Sequence, residues 1–76
     1  MKSYEVDFHG YTVEEALRLA EQLINQARLN LEPVYCSFIT GRGRIQRELM
    51  RVFSDIYELN PLIPFYNQGV ILVELL

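Results

Sequence analysis

Residues 3–30 read SYEVDFHGYTVEEALRLAEQLINQARLN, and the change of period inside this stretch decides the fold class. From Ser3 to His9, apolar Tyr4, Val6 and Phe8 alternate with polar Ser3, Glu5, Asp7 and His9. A period of two marks a half-buried strand, and it sets Asp7 and His9 on the solvent face at the strand's C-terminal end. Gly10 breaks the strand. Thr12 and Glu15 then form a capping-box pattern. Behind it Val13, Ala16, Leu17, Ala20, Leu23, Ile24 and Ala27 recur at helical spacing. The spacing predicts a helix from Val13 to about Leu29, with Asn30 as its stop and Pro33 barring continuation.

Working outward, Val34 to Ile39 (VYCSFI) is rich in β-forming residues and reads as a more buried strand. Thr40-Gly41-Arg42-Gly43 is a turn. Ile45, Leu49, Val52, Phe53, Ile56 and Leu59 form a second helical stripe, ended by Asn60-Pro61. Leu62 to Tyr66 reads as a strand at an edge, because Pro64 cannot donate to a ladder. Asn67-Gln68-Gly69 is a hairpin-type turn, and Val70 to Leu75 is the last strand. The expected fold is α/β: a two-layer βαβαββ sandwich whose four-stranded mixed sheet carries both helices on one face, formed as a single domain over residues 1–76. If the first two strands are parallel, both strand-to-helix turns leave at the same edge of the sheet. Open α/β sheets commonly bind ligands at that edge.

The composition narrows the classes. The chain has 76 residues, half of them hydrophobic, enough for one packed core and no more. A domain of this size buries only about 60% of its unfolded surface. Cys36 is the single cysteine, which excludes an internal disulfide and a cysteine-based zinc site. An unpaired thiol suits a reducing compartment. The N-terminus is not a signal peptide. The longest apolar run, Val70-Ile71-Leu72-Val73, is too short for a bilayer. The reading is a cytoplasmic protein without membrane contact, or one module of a larger cytoplasmic protein. The net charge of −3 argues against coating nucleic acid through bulk charge. Yet Arg42, Arg44, Arg47 and Arg51 fall within ten positions, so Thr40 to Arg51 carries +3 and the rest of the chain −6. A basic segment on an acidic chain presents one anion-facing patch.

Two groups of residues carry candidate chemistry. His9 is the only histidine, and histidine is the side chain whose ordinary pKa lies nearest neutrality. Beside Asp7 it forms a plausible acid/base pair; equally, Asp7 and His9 are two polar residues ending a strand ahead of a helix cap. In the second turn, Gly41 and Gly43 let the backbone approach an oxyanion, and N–H groups opening the second helix point toward it. The same glycines also suit a plain left-handed turn. Arg44 can pair with Glu48, and Arg51 with Asp55, at i,i+4. Arg42 and Arg47 have no such partner and are the stronger phosphate candidates. Tyr11 is positioned either to stack on a base or to staple the helix. The loop is neither a Walker loop nor a dinucleotide fingerprint. The residues call for no cofactor and leave dependence on a divalent metal undetermined.

Three motifs in order, V-D-F-H-G, a helix opening T-V-E-E-A, and a strand ending I-T-G-R-G, resemble the small MutS-related (Smr) domain across nearly the whole chain. Arg44-Ile45 follows Gly43 directly, where many relatives carry a further glycine-containing stretch. The resemblance implies a βαβαββ fold similar to the C-terminal domain of bacterial translation initiation factor three. It implies nucleic-acid binding and endonuclease activity on DNA or RNA, with the ribosome as a partner for members that act on messenger RNA there. Its Asp-x-His pattern falls on Asp7 and His9 as catalytic residues. Its glycine pattern falls on Thr40, Gly41 and Gly43, with Arg42 at the variable basic position. Gly10, Arg44 and Arg47 complete the expected phosphate-binding set.

Physical chemistry favours RNA among those substrates. DNA hydrolysis needs an external water made nucleophilic, usually by a metal, whereas RNA brings its own 2′-OH. His9 can take that proton while Arg42 and backbone N–H groups hold the phosphate charge. A non-catalytic nucleic-acid or ribosome-binding module using the same patch is the alternative, and a protein-interaction domain whose Asp-x-His is structural is a third reading.

Overall fold

The elements follow the order β-α-β-α-β in a computed structural model describing residues 2–76. Strand β1 spans Lys2–Asp7, helix α1 Val13–Asn30, strand β2 Val34–Ile39, helix α2 Arg44–Arg51 and strand β3 Val70–Glu74. The sheet runs β1-β2-β3, with β1 parallel to β2 and β3 antiparallel to it.

One face of the sheet is apolar. Val34, Cys36 and Phe38 of β2 and Ile71 and Val73 of β3 are buried in a single cluster with Ala16, Ala20, Ile24 and Ala27 of α1 and Leu49 of α2. The alternate residues Ser3, Glu5, Asp7, Tyr35 and Glu74 are exposed, so both helices cover the same side. Alanines at three of the four buried positions of α1 let its backbone lie close to the strands. Phe38 stacks on Phe8 at 5.5 Å and on Phe53 at 5.6 Å between ring centroids, which ties β1, β2 and the second helical region together. Burial is graded along β1 and into the residue after it: Tyr4 is exposed, Val6 half-buried and Phe8 buried.

Helix α1 begins as its capping box predicts. The Thr12 hydroxyl accepts the Glu15 N–H at 3.1 Å, and the Glu15 carboxylate accepts the Thr12 N–H at 2.9 Å. At the other end Asn30 is the last helical residue, and the left-handed cap falls one residue later, on Leu31 (φ 51°). The Leu31 N–H donates to the Arg28 carbonyl and the Glu32 N–H to the Ala27 carbonyl, the paired bonds of a Schellman cap.

Two elements differ from expectation. The second helical stripe is not one α-helix: α2 passes at Val52–Ile56 into a π turn. The wider turn shifts the register of the residues that follow it: Val52 and Phe53 are buried, while Ile56, expected inside, is 59% exposed. The expected strand at Leu62–Tyr66 is reduced to one bridge, in which Leu62 and Leu72 exchange both backbone hydrogen bonds at 2.8 Å. Hydrogen-bonded antiparallel pairs recur every second residue, so the next would set Pro64 against Val70, and Pro64 has no N–H to give. The sheet therefore has three strands, not four, among the described residues. In those residues no helix is long and apolar enough to cross a membrane.

Candidate nucleic-acid interface

The parallel pairing sets Asp7 opposite Ile39, and the Phe8 N–H closes the ladder on the Ile39 carbonyl at 2.9 Å. Both chains therefore leave the sheet at one edge and turn toward the start of a helix. At the first exit, Phe8 is pulled into the core while the chain reverses. The Tyr11 N–H donates to the Phe8 carbonyl at 3.0 Å, and Gly10 holds φ 81°, a backbone that glycine adopts without strain. The Asp7 carboxylate accepts the His9 N–H at 2.9 Å. His9 is thus presented to solvent at the tip of a turn fastened by its own neighbour.

That geometry corrects the strand reading. The alternation ends at Asp7, and His9 lies in the turn rather than on the strand. Asp7 meets the backbone of His9, with no hydrogen bond to its ring. The Tyr11 and Phe8 rings meet edge to face at 5.2 Å, while Tyr11 stays 40% exposed.

At the second exit the glycine turn is clamped by a third segment. The Gly69 carbonyl accepts the Thr40 N–H at 2.8 Å and the Gly41 N–H at 3.0 Å. The Thr40 hydroxyl lies 2.7 Å from the Gly41 carbonyl and 3.2 Å from that of Gly69. The Gln46 side-chain amide donates to the Gln68 carbonyl at 2.7 Å. The Thr40 and Gly41 N–H groups are therefore spent inside the protein. The donors left in this turn are those opening the second helix. Gly43 caps α2 without a side chain, and the first backbone bond back is Arg47 to Gly43 at 3.2 Å. The N–H groups of Arg44, Ile45 and Gln46 ahead of it remain open to an anion, as at any uncapped helix start.

Between the two exits lies a depression of 330 Å³ lined by Asp7, His9, Ile39, Thr40 and Gly41. Gly10, Arg42, Gly43, Arg44 and Arg47 do not line it; they are exposed in the turn and helix start around it. The expected arginine pairings are exchanged. Arg51 meets Glu48 at 3.4 Å, and no ion pair joins Arg51 to Asp55 or Arg44 to Glu48 among the described residues. Arg42, Arg44 and Arg47 have no carboxylate partner among the described residues, so Arg44 joins the uncommitted cations. Cys36 is buried, which pushes its thiol up to about 11 and keeps it a protonated core residue. Among the described residues no group of three or more His, Cys, Asp or Glu side chains is placed to hold a metal ion.

The participation of Asn67-Gln68-Gly69 is new. Its signal was present: this turn directly precedes the last strand, and an antiparallel last strand must start at the edge where β2 ends. Comparison with family models, curated proteins and solved structures returned no match for this chain.

Proposed function

We propose that this chain is a nucleic-acid-binding endonuclease resembling the Smr domain, with single-stranded RNA preferred to DNA. The observation that carries the reading is the meeting of Asp7, His9, Thr40 and Gly41 in one depression, with three uncommitted arginines beside it. A phosphodiester seated there has its charge held by Arg42 and the open N–H groups of α2. His9 takes the proton of the adjacent 2′-OH, whose oxygen attacks phosphorus. The bond to the 5′-oxygen breaks, and that oxygen takes a proton from solvent. The products are a 2′,3′-cyclic phosphate and a 5′-hydroxyl. On this reading Asp7 is a positioning residue acting through the turn, and Leu62–Tyr66 occupies the place of the fourth strand of a βαβαββ sandwich. The setting is the cytoplasm, where Cys36 stays reduced, and messenger RNA at the ribosome is the substrate pool that the resemblance suggests.

The engagement of the Asp7 carboxylate by a backbone N–H favours a second reading, a binding module without catalysis. Incubating labelled single-stranded RNA and DNA of one sequence, with and without chelator, separates the two. The first reading expects RNA cleavage that survives chelation, cyclic-phosphate ends, resistance of a 2′-deoxy site, and a loss of about 10²–10⁴-fold in His9→Ala with affinity retained. Salt-dependent binding without cleavage selects the module. Neither binding nor cleavage removes both.

A further inference from the structure

Phe65 and Tyr66 are 91% and 73% exposed, an arrangement that burial alone does not favour. They occupy the two central positions of a turn closed by the Asn67 N–H on the Pro64 carbonyl at 3.2 Å. Their rings meet edge to face at 5.7 Å. Pro64 behind them is buried and roots the turn in the protein. Ahead of them, Gly69 receives the Thr40 and Gly41 N–H groups and Gln68 receives the Gln46 amide. The aromatic tip is therefore held to the same loop as the basic turn. Tyr66 lies three residues from Gly69, no more than about 11 Å along the chain. Residues 59–73 carry no charged side chain, so nothing on this segment repels a polyanion arriving at Arg42, Arg44 and Arg47.

We propose that Phe65 and Tyr66 form a base-stacking platform for single-stranded nucleic acid, which extends from the phosphate site between β1 and β2. The inference rests on the nucleic-acid reading above and adds the substrate form. Bases in a duplex are stacked on one another and offer no free face, whereas unpaired bases stack on any aromatic ring with little sequence preference. The uncharged, aromatic tip next to an arginine cluster has the two components of such a site: rings for the bases and cations for the backbone.

The probe is a 2′-O-methyl decaribonucleotide, which lacks the attacking hydroxyl and stays intact. Its affinity is compared with that of its duplex and of inorganic polyphosphate, which carries charge without bases. Phe65→Ala and Tyr66→Ala each weaken single-strand binding roughly 5- to 140-fold, with the salt slope and thermal midpoint unchanged and polyphosphate binding intact. The chain has five tyrosines but no tryptophan, so Phe65→Trp provides a lone tryptophan, excited selectively at the red edge of its absorption, whose emission the single strand quenches and polyphosphate does not. Wild-type affinity in both alanine variants, or duplex bound as tightly as single strand, overturns the platform while leaving the phosphate site standing. Failure of the wild-type chain to bind any of the three probes overturns both readings.

Discussion

The carboxylate of Asp7 holds the His9 N–H at 2.9 Å, and this one bond separates two roles for the residue. An asparagine keeps an oxygen acceptor at that place, while an alanine does not. Asp7→Asn is expected to keep the turn and most of any RNA cleavage. Asp7→Ala loses about 1 kcal/mol of stability, the usual worth of such a bond, and misplaces His9. Chemical denaturation and initial cleavage rates measure the two effects. An Asn variant as impaired as the Ala variant would return Asp7 to a charge-based role toward the imidazole. At this scale the sequence was informative where residue type alone decides: Gly10 and Gly41 stand at positive φ, and Thr12 and Glu15 cap α1. It was uninformative about which atom of His9 meets Asp7. Alternation describes side chains only while the strand continues, and the chain turns after Asp7.

Among the elements, α1 was readable throughout because propensity, capping and apolar spacing agree. Its end is less comfortable. Leu31 sits at φ 51° and is 81% exposed, so it takes the cost of a left-handed backbone without burying its side chain. Leu31→Gly is expected to raise stability by about 1 kcal/mol, read as a higher denaturant midpoint at unchanged slope. A lower midpoint would mean that the leucine makes contacts outweighing its strain. The second helical region was legible as apolar spacing but not as a π turn, since the stripe from Ile45 to Leu59 fits α-helical register residue by residue. Packing decides there: Val52 and Phe53 are buried while Ile56 is exposed, a split that the stripe itself does not contain. Pro64 gave warning of a weak fourth strand, yet the reduction to a single bridge depends on the register of Leu62 against Leu72, which no local pattern contains.

At the scale of the molecule, three segments distant in sequence, residues 7–10, 40–44 and 67–69, converge on one edge of the sheet because β1 and β2 are parallel and β3 returns beside β2. The first two were foreseeable from the βαβ order; the third required knowing the direction of β3. Charge follows the same geography, with a basic segment on an otherwise acidic chain. Arg42→Ala, Arg44→Ala and Arg47→Ala should each flatten the log–log salt dependence of RNA binding by about 0.7 per lost phosphate contact. Arg51→Ala should change it less, since Glu48 already partners that side chain. Equal effects at all four positions would mean a diffuse field rather than contacts. The central claim is that nucleic acid binds at the shared edge, and amide chemical shifts of the uniformly labelled chain test it most directly. On titration with the non-cleavable single strand, Gly10, Thr40 to Arg44 and Asn67 to Gly69 should shift together along one saturating curve, while Leu29 to Glu32 at the far end of α1 stay still. Shifts centred on Leu29 to Glu32, or none at any position, would contradict it.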